Sequence, residues 1–465
     1  MERIELPRFQ VLRDESYGTS EESSRVVTPR ASFEPSSTTT TGSIFSGVLN
    51  LSAAAVGVGI VALPYAFSLI GIWGGIVTVC TIGLITGTSL LWLLECSQLS
   101  KKLTFEGNVK FFLGSIGYKF FSANLVLLLF GGCTAMYMVS VSTVRGIWDN
   151  VLVDVLVFAL TLGLCLLVME DPEKRLGFAS FLSIACVVYI CGLLGLQAMN
   201  HEVHGDTCSD TEESLTVTNF VSSTSIVMNS FIMNFIFFEV ISSIPRGPQL
   251  GVKVGRIVSI AIGLVIGPLY ICISVAGIYG LSECGNNVPS NIFVSDRWSI
   301  HPVLLDSGRL SLTLVNVFKF PLLMLPLCHT LFPAANENRR IQILALLPLV
   351  VATSYLFGDI SQVLKWIGTT CGIALGFIIP ALMYHHLQDI EAEQADLAER
   401  IMTYHQSLPD TEPVTPSARR RAKKRTWKKW VCLILIAVSL SYALLGIMVD
   451  LQTRGDAPLT YFSVW

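Results

Sequence analysis

The feature that most constrains the fold of this chain is a series of long apolar stretches that recurs almost from end to end. A helix needs about 20 apolar residues to cross the hydrocarbon core of a bilayer. Stretches of about this length occur at 44–70, 73–95, 120–141, 151–169, 177–198, 221–244, 255–281, 310–332, 341–357, 362–384 and 430–450. Only 14% of the residues are charged and 52% are hydrophobic, so the chain cannot cover a water-soluble surface of this size. The sequence therefore predicts an all-α polytopic membrane protein with eleven transmembrane helices.

The distribution of lysine and arginine predicts how these helices are oriented, because cytoplasmic loops are enriched in basic residues. If the N-terminus is cytoplasmic, 25 basic residues fall in cytoplasmic segments and 5 fall on the opposite side. The one that remains, Lys319, lies inside the eighth stretch. We therefore expect a cytoplasmic N-terminus and a non-cytoplasmic C-terminus.

Four segments follow from this layout. Residues 1–43 are polar and rich in Ser and Thr, which predicts a disordered cytoplasmic tail. Residues 44–384 are the ten-helix core, and residues 430–465 are the eleventh helix with the C-terminus. The cytoplasmic loop 385–429 combines an amphipathic segment with a polybasic one. We expect the basic residues within 419–429 to contact anionic lipid headgroups.

The sequence argues against several classes of function. Motifs of hydrolases, metalloproteases and nucleotide-binding enzymes are absent, so we expect no enzyme activity and no prosthetic group. The net charge of −3 is too balanced for a nucleic-acid-binding protein. The 12 cysteines are scattered without a Cys-x-x-Cys pair, which argues against a metal site.

The first apolar stretch contains a pattern that weakens a helix. Gly57 and Gly59 are separated by one residue, and Pro64 follows five residues later. Glycine favours unwinding, and proline cannot donate to the helical hydrogen-bond ladder. An unwound segment inside a membrane exposes N–H groups that suit a carboxylate and carbonyls that suit an ammonium group. We therefore predict that Gly57, Val58 and Gly59 bind a small zwitterion, although the same glycines would also permit tight helix packing.

The sixth stretch has no glycine or proline before Pro245, and polar residues are the only sign of a break. Asn229, Ser230 and Asn234 lie in its middle. Amides inside a membrane need hydrogen-bond partners, and either a substrate or the neighbouring helices can supply them. We predict that Asn229 and Asn234 bind substrate.

The run GSIFSGVLNLSAAAVGVGIVALPYAFSLIGIWGG at residues 42–75 resembles the opening of the amino acid/auxin permease family. That family includes the sodium-coupled neutral amino acid transporters. Further similarity follows in LLFGGCTAMYMVSV, FKFPLLMLPL and IGTTCGIALGFIIPALMY, in the third, eighth and tenth stretches. The similarity extends over about residues 43–450.

This resemblance implies two inverted five-helix repeats, formed by spans one to five and six to ten, with span eleven outside them. Substrate would bind between the broken helices one and six, with Tyr137 of span three beside it. The implied activity is secondary active transport of an amino acid by alternating access, either at the plasma membrane or at a vacuolar or lysosomal membrane. Carriers of other small zwitterions or amines, amino-acid receptors and a membrane-embedded enzyme remain alternatives.

The resemblance also bears on ion coupling. The sodium-coupled relatives carry a hydroxyl residue and an asparagine where this chain has Lys319 and Ala53. We hypothesise that the ammonium group of Lys319 occupies the cation site and bonds to carbonyls freed by the break in span one. Transport would then be independent of sodium, and Lys319 could carry a proton in symport. The alternative is a structural lysine that pairs with a helix C-terminus elsewhere.

Two cysteines lie in predicted outer loops. Cys208 belongs to the loop 199–220 and Cys284 to the loop 282–309. Because the two loops face the same non-cytoplasmic and oxidising side, we predict a disulfide bond between these residues, the alternative being two free thiols.

Overall fold

Each of the eleven apolar stretches forms helix in the computed structural model, and no strand occurs among the residues that the structure describes. These residues are 44–55, 57, 59–148, 150, 152–168, 172–200, 216–242, 250–281, 288–295, 298–332, 339–357, 359–406 and 417–455.

The first five predicted spans are formed by six helices. They are α1 (Ile44–Ala55), α2 (Gly59–Ser68), α3 (Gly71–Ser100), α4 (Phe105–Arg145), α5 (Leu152–Val168) and α6 (Pro172–Asn200). Helices α1 and α2 are the two halves of span one. Helix α4 is bent at Gly114, whose φ of 67° lies in the left-handed region that glycine adopts without strain.

The second five predicted spans begin in the same way, with a divided helix. Their helices are α7 (Val217–Ser230), α8 (Asn234–Ser242), α9 (Leu250–Ile260), α10 (Gly267–Leu281), α11 (Pro302–Leu331), α12 (Arg339–Leu356), α13 (Ile360–Ile367) and α14 (Ile379–Gln406). Helices α7 and α8 form span six. Wider π-helical turns join α9 to α10 and α13 to α14. Helix α15 (Ser417–Gly455) contains span eleven.

Eight helical segments among the described residues are long and apolar enough to cross a membrane. Three shorter apolar helices, Gly59–Ser68, Leu152–Leu167 and Ala185–Asn200, lie in predicted spans one, four and five. The all-helical membrane fold is therefore confirmed. The count of eleven crossings and the orientation of the N-terminus stay predictions of the sequence.

Burial distinguishes the helices around the two divided spans from those that face lipid. Helix α2 packs against α7 and α10, and α4 packs extensively against α11. Helix α15 is peripheral, and it exposes Ile434, Val438, Leu444 and Met448 by 58–64%. The broken spans thus lie in the interior of the helix assembly, where the surrounding protein can shield backbone that lipid cannot solvate.

Two predicted segment boundaries fall inside continuous helices. Helix α14 continues from span ten through residue 384 into the amphipathic segment, and α15 continues from the polybasic segment into span eleven. Lys429 of that basic segment pairs with Asp389 of α14, and Lys428 donates to the hydroxyl of Tyr384 at 2.7 Å. At least these two cations are engaged within the protein, and the lipid contact of the basic segment stays a prediction.

Three predictions concern residues outside the described part of the chain. These are the disordered tail 1–43, the Cys208–Cys284 disulfide and the position of Val58. All three stay predictions.

Candidate functional site

The break in span one lies between Ala55, the last residue of α1, and Gly59, the first residue of α2. Gly57 forms a bend between them, and its carbonyl accepts from the N–H of Ile60 at 3.3 Å. The last four carbonyls of a helix and its first four N–H groups have no partner within the helix. The break therefore brings together, inside the membrane, helix-end carbonyls and N–H groups that have no partner within their own helices.

The break in span six covers Phe231–Met233, between Ser230 at the end of α7 and Asn234 at the start of α8. The N–H groups of Phe231 and Ile232 donate to the carbonyls of Met228 and Asn229 at 3.0 and 3.3 Å, which closes the end of α7 in a tight turn. The helix is thus interrupted between Ser230 and Asn234, two of the polar residues that mark the middle of this span in the sequence.

The two breaks touch each other at Gly59 and Ser230. A Cβ atom on Gly59 would lie 3.0 Å from the Cβ and 3.2 Å from the Cα of Ser230. Real Cβ atoms rarely approach other atoms so closely, so only glycine allows this contact. Gly59 accordingly serves tight packing between the broken helices.

Gly57 has different surroundings. Among the described residues, the one atom that a Cβ on Gly57 would meet is the carbonyl oxygen of Ala55, at 4.0 Å. Gly57 is partly exposed, whereas Gly59 is buried. The backbone at Gly57 therefore borders open space, which is the condition for a ligand to approach it.

Tyr270 of α10 connects the two breaks. Its hydroxyl lies 2.9 Å from the carbonyl oxygen of Ala55 and 2.7 Å from that of Ser230, the last residues of the two half-helices. The side chain is fully buried, and its ring packs edge to face on Phe231. A hydroxyl has one proton, so Tyr270 donates to one carbonyl at a time. Sequence reasoning missed this residue because nothing in the apolar pattern of span seven distinguishes it.

Lys319 of α11 also contacts the end of α1 at the first break. Its Nζ donates to the carbonyl oxygen of Ala53 at 3.0 Å, and the residue is 7% exposed. Ala53 is in the last turn of α1, so its carbonyl is one of the four that lack a partner within the helix. The structure therefore places the ammonium group at the C-terminal end of the first half-helix.

Asn234 is hydrogen-bonded to spans two and ten. Its Nδ2 donates to the hydroxyl of Ser89 at 3.0 Å and to the carbonyl oxygen of Gly376 at 3.2 Å, which ties span six to spans two and ten. Its Oδ1 is buried without a partner. The side chain of Asn229 is partly buried. Of the side-chain polar atoms of Asn234, the oxygen is thus the one available to a ligand.

Tyr137 is buried in α4, but its hydroxyl lies 3.3 Å from the carbonyl oxygen of Asp154 in α5. The carboxylate of Asp154 is also bound by Arg145, at 2.6 Å, and by the hydroxyl of Tyr355. The structure thus brings Tyr137 into a polar cluster of spans three, four and nine. The hydrogen bond of its hydroxyl joins it to this cluster, and its placement beside substrate stays a prediction.

Buried polar atoms without partners are concentrated on the broken spans. In the part of the chain that the structure describes, these atoms are Ser52 Oγ, Ser223 Oγ, Thr224 Oγ1, Asn234 Oδ1 and Asn316 Nδ2. Four of them belong to α1, α7 and α8, and Asn316 belongs to α11, three residues before Lys319. An unpartnered buried polar atom costs about 1–3 kcal/mol, which a polar ligand can offset. Within the same described ranges, no three His, Cys, Asp or Glu side chains cluster as metal ligands.

Comparison with known proteins identifies related sequences. The profile of the family described as "Transmembrane amino acid transporter protein" matches residues 40–403. Amino acid transporter AVT6C of Arabidopsis thaliana is 22% identical over 413 residues, which cover 79% of this chain and 92% of that protein. Vacuolar amino acid transporter 5 of Schizosaccharomyces pombe is 21% identical over 368 residues, which cover 73% and 84%.

Among solved structures, a mutant of the manganese transporter of Eremococcus coleocola superposes with a TM-score of 0.47 at 11% sequence identity. The superposition covers 88% of this chain and 96% of that chain.

Proposed function

We propose that this chain, which belongs to the transmembrane amino acid transporter protein family, is a secondary active transporter that moves amino acids by alternating access. Substrate binds at the breaks in spans one and six. The observation that carries the proposal is the meeting of two interrupted helices in the membrane interior. Among the described residues, four of the five unpartnered buried polar atoms also lie on these two spans.

The backbone of the first break supports an amino acid as the substrate. Helix α2 begins at Gly59 and presents N–H groups, and the positive end of its dipole favours a carboxylate. Helix α1 ends at Ala55, and a carbonyl oxygen has two lone pairs, so its terminal carbonyls can accept from a substrate ammonium group in addition to Tyr270 and Lys319. A free amino acid carries both groups on one carbon atom. The open space beside Gly57 admits such a ligand.

The position of Lys319 supports transport that is independent of sodium. A sodium ion would be bound by backbone carbonyls near the end of α1, and the lysine ammonium group already donates to one of them, at Ala53. In its protonated form this ammonium group repels a sodium ion at the same position. In this proposal Lys319 also carries the proton that is moved with the substrate, as a proton symporter requires.

The cellular membrane is part of the same proposal. A relative from Schizosaccharomyces pombe is named as a vacuolar amino acid transporter. This relationship favours a vacuolar or lysosomal membrane over the plasma membrane for this chain. Imaging of the tagged protein beside a vacuolar membrane marker tests this location.

The transport proposal is tested by reconstituting the full chain into proteoliposomes and measuring net uptake of a panel of labelled amino acids. Accumulation of an amino acid against its gradient supports the proposal. Saturable binding of an amino acid without its transport would instead indicate a receptor. A protein that takes up amines but not amino acids would be a carrier of another class.

Gly57 and Gly59 provide a prediction about the first break. Gly57→Ala should fold normally, because its Cβ has no neighbour closer than 4.0 Å. The added methyl group enters the space proposed for substrate, so we expect the KM for the amino acid to rise by about tenfold or more, which corresponds to about 1.4 kcal/mol. Gly59→Ala should lower thermal stability, since its Cβ would press on Ser230.

The measurement compares uptake kinetics and melting temperature for both variants. Gly87→Ala is a matched control, because a Cβ there makes only ordinary contacts, at 3.5 Å and beyond. An unchanged KM in Gly57→Ala would show that substrate does not approach this part of the backbone.

A further inference from the structure

Asn316 is an isolated polar side chain that the sequence pattern does not single out. It lies in α11 and is only 1% exposed, and its Nδ2 has no hydrogen-bond partner within the described part of the chain. An amide nitrogen of this kind carries two donors. Leaving them unsatisfied in the membrane interior is costly, and a structural role would require protein partners for them.

The contact of Lys319 shows which way this part of α11 faces. Residues three apart lie on the same side of a helix, so Asn316 and Lys319 share a face. The ammonium group of Lys319 reaches Ala53 of α1. The face that carries Asn316 is therefore directed toward span one.

Helix geometry also gives the depth of Asn316. Spans one and eight run antiparallel in the predicted topology. The direction from Lys319 back to Asn316 in span eight is therefore the same, across the membrane, as the direction from Ala53 toward the end of α1. Three helical residues advance about 4.5 Å. Three residues forward from Ala53 likewise pass Ala55, the last residue of α1, and enter the break before Gly57. Asn316 accordingly lies within about one helical turn of the lysine that contacts the end of α1.

We propose that Asn316 determines substrate specificity by donating a hydrogen bond from Nδ2 to the side chain of the bound amino acid. This inference rests on the proposed function, in which the backbone of span one binds the α-carboxylate and the α-ammonium group. Asn316 approaches from the opposite helix, so it meets the part of the substrate that points away from span one.

The chemistry of the donor defines the substrate class. Nδ2 requires an acceptor, and the side chains that end in a carbonyl oxygen are the amides of Asn and Gln and the carboxylates of Asp and Glu. A site built to hydrogen-bond a substrate group discriminates strongly against an analogue without it, because the buried donor is then left unpaired. Methionine, which is similar in length to Gln and Glu, should therefore be a poor substrate.

The test measures kcat/KM for uptake of glutamine, glutamate and methionine by the wild-type protein and by Asn316→Leu. Leucine is close to asparagine in shape and has no donor. We expect the wild type to prefer glutamine or glutamate over methionine, and the variant to reduce this preference by about tenfold or more. If kcat/KM falls more for glutamine than for glutamate in the variant, the acceptor is an amide; if it falls more for glutamate, the acceptor is a carboxylate.

Thr313→Val is a matched control on the same face of α11, one turn further from Lys319. Its hydroxyl already donates to the carbonyl oxygen of Arg309 at 3.0 Å, so its removal should leave the preference within about twofold of the wild type. Melting temperatures of the substrate-free proteins give an independent readout. Because Nδ2 is unpartnered, Asn316→Leu should be at least as stable as the wild type.

Two results would overturn the inference while leaving the transport proposal intact. One is a wild-type protein that transports methionine as well as glutamine and glutamate. The other is an Asn316→Leu variant that keeps the wild-type preference or that loses stability without substrate. A wild-type protein that transports no amino acid would instead contradict the proposed function itself.

Discussion

Replacing Lys319 with methionine is expected to lower amino-acid uptake by about 100-fold. The ammonium group donates to the buried carbonyl oxygen of Ala53, and methionine removes both the charge and the donor. A hydrogen bond from a charged group contributes about 1.5–3 kcal/mol, and an orphaned buried carbonyl costs about 1–3 kcal/mol. Both figures describe the loss of the same bond, and a loss of about 2.8 kcal/mol, which lies within either range, is sufficient for two orders of magnitude, since each 1.4 kcal/mol is a factor of ten.

The measurement is initial uptake into proteoliposomes at matched protein density. Lys110→Met is the control, because Lys110 is an exposed lysine of α4 outside the apolar part of span three. Uptake by Lys319→Met at the wild-type rate, with the wild-type response to pH, would show that the lysine has no part in transport.

Removing the hydroxyl of Tyr270 should also have a large effect. In Tyr270→Phe the carbonyls of Ala55 and Ser230 lose the donor that lies between them. The two half-helices are then no longer held together by this donor. Because the hydroxyl donates to one carbonyl at a time, we expect a loss of about 1–3 kcal/mol of stability from the carbonyl left unpaired, and a fall in uptake of about tenfold or more.

Tyr279→Phe on the same helix provides the comparison, because Tyr279 is 62% exposed. Melting temperature and uptake should both decrease in Tyr270→Phe and stay close to wild type in Tyr279→Phe. Equal melting temperatures for the two variants would contradict the role assigned to the Tyr270 hydroxyl.

The first break could be predicted from sequence, but only part of its geometry could. Two glycines and Pro64 are a local signal, since each weakens the helix at its own position. The difference between Gly57 and Gly59 is not local. It depends on which glycine meets Ser230, a residue 171 positions away in sequence, and no spacing in the first span encodes that contact.

The second break had a weaker signal. The polar residues Asn229, Ser230 and Asn234 marked the middle of span six, and the interruption falls between the last two. The partners of Asn234 were beyond prediction, because Ser89 and Gly376 come from distant spans. The role of Tyr270 could not be predicted from the sequence, since a tyrosine in an apolar helix is usually interpreted as a core residue.

The ends of the helices were predicted less well than their positions. Hydropathy marks only the portion of a helix that is apolar, but the hydrogen-bond ladder continues into polar residues. Helix α11 begins eight residues before its apolar stretch, at Pro302, where His301 caps its first turn. Helix α14 likewise continues to Gln406, well beyond the stretch that ends at residue 384.

The most direct test of the account is uptake of a labelled amino acid by wild-type proteoliposomes with sodium or choline as the external cation. Because the ammonium group of Lys319 occupies the end of α1, the account predicts accumulation at the same rate in both media, driven by an imposed pH gradient. Uptake that requires sodium and ignores the pH gradient would contradict it.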